Sequence, residues 1–356
     1  MPLPRPARGR RLLLLLTAVL GFTVPSALAA VPPLEFSQAI GDPSVVKTKK
    51  QQYVAIATGP QVIRMVSKNG RRWHATAPAL AARPSWARPK GEIWAADLVR
   101  LGRTWVLYYS APVYGMTSTS RCIGVATARI STGQFRPVGD RPLVCPPAAK
   151  APPAWDPVLE PGMTTPTYPT IGAIDPSIFL DRGRVFLLYK TDGKPSSIRI
   201  LRLKRGGLQP FGPRSRALFG SAGVLENPVM VRRGKWVYAF MSAGDYTRCS
   251  YATVWRRSKN IWDWSRRVQR VLLDSTTTRG VCGPGGADVL VDGRDVKLYF
   301  HGWTCNGSPR PCLEPFHNWD GKEAYRTPVR ALYGAHLTFT KRHVVKVDRF
   351  IRPRRG

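Results

Sequence analysis

The chain has 356 residues, with 55 Lys and Arg against 21 Asp and Glu, giving a formal net charge of +34. Its 43% hydrophobic content is enough for a packed core and excludes a disordered polycation, which lacks the apolar surface to offset ordering entropy. With 33 prolines and 32 glycines, windows long enough for a helix are interrupted throughout, which excludes a helical bundle.

At the N-terminus, Arg5, Arg8, Arg10 and Arg11 precede an apolar run over residues 12–24 and the small-residue sequence Ala27-Leu28-Ala29. This is the pattern of a secretory signal peptide over residues 1–30, too short for a membrane helix. The mature protein is therefore expected over residues 31–356, secreted or associated with the cell wall. No later stretch approaches the ~18 apolar residues of a membrane span.

One unit then recurs along the chain. Asp42-Pro43-Ser44-Val45-Val46, Ala96-Asp97-Leu98-Val99, Asp175-Pro176-Ser177-Ile178-Phe179, Glu226-Asn227-Pro228-Val229-Met230 and Ala287-Asp288-Val289-Leu290 each open a strand. A short turn follows each, with Gly102, Gly183, Gly234 and Gly293 in four of them. Next comes an aromatic, β-branched strand over residues 53–58, 104–110, 184–190, 235–242 and 295–301. Third strands are expected over residues 122–128, 197–203 and 250–255, and residues 329–347 complete the last unit. A strand-only unit of roughly 40–60 residues, used five times, predicts an all-β fold: a five-bladed β-propeller in a single domain. The Pro-rich residues 142–169 lengthen the gap between the second and third units and read as a surface loop at one mouth.

The chain has six cysteines, an even number that suggests disulfides in an exported protein. Sequence neighbours are the simplest pairing: Cys122–Cys145, Cys249–Cys282 and Cys305–Cys312. No Cys-x-x-Cys pair occurs, which argues against a zinc ribbon or a thioredoxin-type redox site. No Gly-x-Ser-x-Gly elbow and no Gly-rich nucleotide loop is present either.

The inner strands of a propeller face one axis, so carboxylates near their starts would meet there. Asp42, Asp175 and Glu226 share an acid-(x)-Pro-x-apolar frame, and Asp97 and Asp288 hold the related spot in the other two units. A lone Asp-Pro is an ordinary turn start, the Asp accepting local backbone hydrogen bonds. Recurrence in step with the repeats makes Asp42, Asp175 and Glu226 the candidate catalytic residues.

From Gly41 to Val347 the chain resembles glycoside hydrolase family 43, the five-bladed propeller enzymes acting on arabinan and xylan. Gly41-Asp42-Pro43-Ser44-Val45 resembles the family's segment carrying the general base. Ile174-Asp175-Pro176-Ser177-Ile178-Phe179 resembles the segment whose Asp orients the acid and tunes its pKa. Leu225-Glu226-Asn227-Pro228 resembles the Glu-Gly-Pro segment carrying the general acid, with Asn227 in place of Gly. Glu92-Ile93-Trp94-Ala95-Ala96-Asp97, followed by the strand over residues 105–110, resembles the Trp-Ala-Pro-Asp segment, with Ala96 in place of Pro. Tyr299-Phe300-His301-Gly302-Trp303 resembles the segment whose His reaches the central channel and a bound calcium or water cluster.

The resemblance implies a secreted glycosidase that cleaves arabinofuranosyl or xylosyl linkages by inversion. Asp42 would be the ionised base and Glu226 the protonated acid, with Asp175 raising the acid's pKa through its nearby charge. Trp94, Asp97, Trp303 and His301 are the expected substrate contacts, and Trp94 is preferred over Trp303 and Tyr114 for stacking on a sugar. No cofactor is required, and a structural Ca²⁺ in the central channel would be held near His301 through water. The expected partners are a polysaccharide or oligosaccharide and, given the net charge, an anionic cell-wall polymer, with no nucleic acid, no membrane span and a monomeric state. The alternative reading is a non-catalytic carbohydrate-binding propeller at an anionic cell surface. The sucrose- and fructan-cleaving retaining clan fits less well, since its Arg-Asp-Pro and Glu-Cys signatures do not occur.

Overall fold

In a computed structural model of the chain, residue 1 and residues 30–115, 117–146, 172–212, 215–264, 267–316 and 327–353 are described. The signal-peptide assignment over residues 1–30 and most of the Pro-rich residues 142–169 fall outside them. All regular structure among the described residues is β.

Five four-stranded antiparallel sheets follow one another along the chain, each with its strands in sequence order. The first blade is β1 (Ser44–Lys47), β2 (Tyr53–Ala57), β3 (Ile63–Ser67) and β4 (His74–Ala75). The second is β5 (Trp94–Leu101), β6 (Thr104–Pro112), β7 (Arg121–Ala128) and β8 (Arg136–Pro137). The third is β9 (Gly172–Asp181), β10 (Arg184–Asp192), β11 (Ser196–Leu203) and β12 (Arg216–Ser221). The fourth is β13 (Leu225–Arg233), β14 (Trp236–Ala243), β15 (Ala252–Ser258) and β16 (Arg270–Leu273). The fifth is β17 (Cys282–Asp292), β18 (Asp295–Thr304), β19 (Val329–Phe339) and β20 (Val345–Phe350). Inner strands β1, β5, β9, β13 and β17 touch in succession, and β17 meets β1, so the ring closes as the expected five-bladed propeller.

The second strands are buried almost end to end, as in Val106-Leu107-Tyr108-Tyr109 and Phe186-Leu187-Leu188-Tyr189. Each is covered on both faces by a neighbouring blade, which is why these strands read as unbroken apolar runs rather than alternating ones. A separate apolar cluster fills each of the five blade interfaces. Closure is reinforced by the segment before β1: Leu34 donates its N–H to Leu332 O (2.7 Å) and Ile40 donates to Arg330 O (2.7 Å). The segment preceding the first blade is thereby fastened to the last blade. The three disulfides pair as the neighbour rule predicts, Cys122–Cys145, Cys249–Cys282 and Cys305–Cys312.

One backbone feature recurs around the axis. Asp42, Ala95, Asp175, Asn227 and Gly286 have φ of 53°, 38°, 55°, 49° and 56°. The pairing register slips at this point in the second, third, fourth and fifth blades. Such a bulge turns the strand and re-aims its side chains. Asp, Asn and Gly tolerate left-handed angles better than most residues, and four of the five positions use them.

Candidate active site

The shared bulge gives the register of the repeats. Asp42 and Asp175 sit at the bulge, Glu226 one residue before it, and Asp97 and Asp288 two residues after it. The five carboxylates therefore do not form the single matched ring that the motifs suggest. They form two sets, and the difference decides their surroundings.

Asp97 and Asp288 lie deeper along the axis. Asp97 accepts from Ser44 Oγ (2.8 Å) and from Ile178 N–H (2.8 Å), joining the first, second and third blades. Asp288 accepts from Val45 N–H (2.7 Å) and from Val289 N–H (2.7 Å). Burial raises Asp97 to about 6, and burial together with the charge of Asp97 raises Asp288 to about 7. Both line a narrow axial cavity of about 30 Å³, roughly the volume of one water. Each oxygen of Asp97 accepts one inter-blade hydrogen bond, and the residue also lines the cavity.

Asp42 and Asp175 line the same cavity toward the strand starts, with Glu226 beside Asp175. Asp42 accepts from Arg330 Nη1 (2.8 Å) and from Thr58 Oγ1 (3.0 Å). Burial pushes its carboxyl up, but Arg330 and Thr58 outweigh this and hold it below the usual range, hence ionised. Asp175 accepts from Asn227 N–H (3.0 Å) and is pushed up to about 8 by burial and then by the charge of Glu226, partly offset by Lys190. Glu226 accepts from Tyr251 Oη (2.7 Å) and from Lys190 Nζ (2.9 Å). These two partners fix the position of Glu226, whose charge acts on the neighbouring Asp175. The charges of Asp42 and Glu226 both act on Tyr251 and on Asp175, which locates the three carboxyls in one electrostatic neighbourhood.

His301 is fully buried, with its ring stacked on Tyr251 at 5.9 Å between centroids. Its Nδ1 accepts from Asp42 N–H (3.1 Å), which assigns the ring proton to Nε2. Burial lowers its pKa to about 4, so the close approach to Asp42 Oδ1 (3.5 Å) joins a neutral imidazole to a carboxylate. Nε2 has no protein partner. Among the described residues, no group of three His, Cys, Asp or Glu converges to hold a metal. Calcium prefers oxygen ligands, so this donor set does not fit a directly bound calcium, and no step below uses one.

Glycine permits the close packing here. A Cβ on Gly286 would meet His301 Nδ1 and lie 2.7 Å from Asp42 Oδ1, and one on Gly41 would collide with the Arg330 guanidinium.

The expected aromatic contacts divide. Trp94 is half-buried, with the Arg121 guanidinium covering one face of its ring. Trp303 is 7% exposed, donates Nε1–H to Tyr246 O (2.7 Å) and packs on Phe316 with the Cys249–Cys282 and Cys305–Cys312 disulfides. Trp303 is therefore a core residue beneath Arg330 rather than an open sugar platform, since its faces are filled. Tyr114 is exposed and lies under Arg88.

Three residues escaped the motif reading: Arg330, Lys190 and Tyr251. Lys190 carried a usable signal, as a lone charge at the end of the apolar run over residues 185–189. Arg330 and Tyr251 carried none, because what marks them is a partner from another blade.

Residues 36–322 match the family described as glycosyl hydrolases family 43. An extracellular exo-α-(1→5)-L-arabinofuranosidase of Cellvibrio japonicus is 24% identical over 313 residues, 80% of this chain and 77% of that protein. A thermostable family-43 glycoside hydrolase superposes with a TM-score of 0.65 at 18% identity, covering 90% of this chain and 97% of its own. An α-L-arabinanase of Cellvibrio cellulosa complexed with arabinohexaose superposes with a TM-score of 0.62 at 19% identity, covering 87% and 96%. With the match spanning most of the propeller, the chain belongs to family 43 of the glycosyl hydrolases and is a glycosidase.

Proposed function

We propose that the protein is an exported, inverting glycosidase that releases α-L-arabinofuranosyl units from arabinose-containing polysaccharides. The observation that carries this reading is the asymmetry of the cluster: an ionised Asp42 held by Arg330, facing an Asp175–Glu226 pair in which one negative charge discourages a second. Inversion needs one carboxylate to activate water and one carboxylic acid to protonate the leaving group. Asp42 takes a proton from water as the water oxygen bonds to the anomeric carbon. The glycosidic C–O bond breaks, and its oxygen takes a proton from Glu226, which is partly exposed where Asp175 is buried. Asp175 resists carrying a full charge beside Glu226, which favours one proton in the pair near neutrality. Arg330 and Thr58 hold Asp42, and Tyr251 and Lys190 aim Glu226. The arabinosyl preference is supported by the named activity of the Cellvibrio japonicus relative; xylosyl linkages, also acted on within this family, are the second substrate to test. Export is supported by the three disulfides and by the extracellular relative.

The test is turnover of arabinan, 4-nitrophenyl α-L-arabinofuranoside and the matching β-D-xyloside by wild type and Glu226→Gln, with proton NMR of the first-formed anomer. Arabinan cleavage should fall at least about 10³-fold in Glu226→Gln, with a smaller loss on the activated aryl glycoside, whose leaving group needs less protonation. Equal losses on both substrates would remove Glu226 from the acid role, and a retained anomer would refute inversion.

A further inference from the structure

The net charge of +34 is distributed between the two ends of the propeller very unequally. Every inner strand runs from the carboxylate cluster to the far end, so the turns joining first to second strands, and third to fourth, all lie opposite the active-site mouth. Each first turn carries an exposed cation: Lys49 and Lys50, Arg103, Arg182, Lys235 and Arg294. Each of the other turns at that end does too, with Lys68, Arg129, Arg205, Lys259 and Arg342 as examples. The turns themselves hold one carboxylate among the described residues, Asp263, paired with Arg267 (3.6 Å), and at the strand ends beside them Asp181, Asp292 and Asp295 are paired with Arg232, Lys47 and Lys297. At the mouth end, the turns over residues 58–62 and 113–120 hold no charge, Asp245 and Glu314 offset Lys194, Arg248 and Arg310, and in the connections between blades Glu92, Asp140 and Asp274 partly offset Arg83, Arg88, Lys90, Arg141 and Arg279.

The cations of the first turns are largely free of internal partners. Lys49, Arg103, Arg182, Lys235 and Arg294 have no side-chain hydrogen bond or ion pair among the described residues. A bare ring of like charge raises self-repulsion, whereas a polyanion laid across it gains from every blade at once. Aromatic rings at this end are capped by cations, Arg257 and Lys259 lying over Trp236 and Arg233 over Phe339. Phe211, 58% exposed in the turn after β11, has the Arg202 guanidinium over one face, so this end offers bases few open rings, which disfavours single-stranded nucleic acid.

We propose that the face opposite the carboxylate cluster is a docking surface for an acidic polysaccharide of the polyuronate type. Its regularly spaced carboxylates match ammonium and guanidinium donors distributed around a ring. Docked this way, the enzyme is anchored to the matrix with its catalytic mouth turned outward toward neighbouring chains. The inference deepens the reading of a polysaccharide-degrading enzyme, but its test needs no turnover.

The experiment measures binding of the full mature chain to immobilised polygalacturonate at low salt. It compares wild type with a far-face variant (Lys49→Glu, Arg103→Glu, Arg182→Glu, Lys235→Glu, Arg294→Glu) and a mouth-side variant (Lys194→Glu, Arg248→Glu, Arg310→Glu). The far-face variant should bind at least ~10-fold more weakly, with an unchanged thermal midpoint and unchanged turnover of a small aryl glycoside; 0.5 M salt should release wild type. A second far-face set, Lys50→Gln, Lys68→Gln, Arg205→Gln and Lys259→Gln, serves if the reversals unfold the chain, and should weaken binding several-fold. Equal loss in the mouth-side variant, equal binding to neutral arabinan, or tighter binding to duplex DNA or to anionic phospholipid vesicles than to polygalacturonate would each overturn the proposal.

Discussion

Asp175 offers the sharpest test, because its burial makes a specific claim about stability as well as chemistry. Its carboxyl is held protonated up to about 8, against 3.8 for the free group, by burial and by the charge of Glu226. The unfolded chain releases this proton near 3.8, whereas the folded chain keeps it until about 8. Across that window unfolding releases a proton, so stability falls as pH rises, by about 1.4 kcal/mol per unit. From pH 4.5 to 7.5 the effect is up to about 4 kcal/mol. Asp175→Asn removes the titration and keeps the shape, and its amide oxygen can still accept from Asn227 N–H. The assay is urea unfolding of wild type and Asp175→Asn at both pH values. Asp97 and Asp288, whose charges do not act on Asp175, are common to both proteins and cancel in the double difference. Asp175→Asn should be the more stable protein at pH 7.5, should lose this advantage at pH 4.5, and should lose most of its activity. Parallel pH–stability curves would refute the electrostatic description of the cluster.

Lys190→Met removes the buried cation that eases ionisation of Asp175 and pairs with Glu226. The alkaline limb of the pH–kcat/KM profile should move upward, with a stability loss of about 3–5 kcal/mol; an unmoved limb would separate Lys190 from the acid pair. Gly286→Ala forces a methyl group to within 2.7 Å of Asp42 Oδ1 at a φ of 56°. Activity should fall at least about 10²-fold with roughly 1–3 kcal/mol of destabilisation, and normal kinetics would show that the contact relaxes freely. Cys249→Ser with Cys282→Ser opens a disulfide spanning 33 residues and should cost about 2–4 kcal/mol. Because Tyr251 lies two residues after Cys249 and bonds Glu226, kcat should fall more than KM rises; unchanged kcat would mean that the bridge does not aim Tyr251.

The repeated strand–turn–strand unit was legible from residues alone because strands covered on both faces are apolar end to end, and Gly102, Gly183, Gly234 and Gly293 punctuate them. The disulfide pairing was legible because each bridge closes a local loop. Asp42, Asp175 and Glu226 were legible as a group because their Pro-containing frames mark the strand starts. Their environments were not. A left-handed residue at each bulge shifts where the neighbouring side chain points, so Asp97, two residues beyond it, becomes an inter-blade clasp while Asp175 meets Glu226. Trp303 was among the expected substrate contacts, yet it packs into the disulfide cluster, and Arg330 reaches Asp42 across 288 residues of sequence. Local pattern determines the strands and the acids that open them. Which acid keeps a proton depends on burial and on charges from other blades, and only the closed ring brings those together.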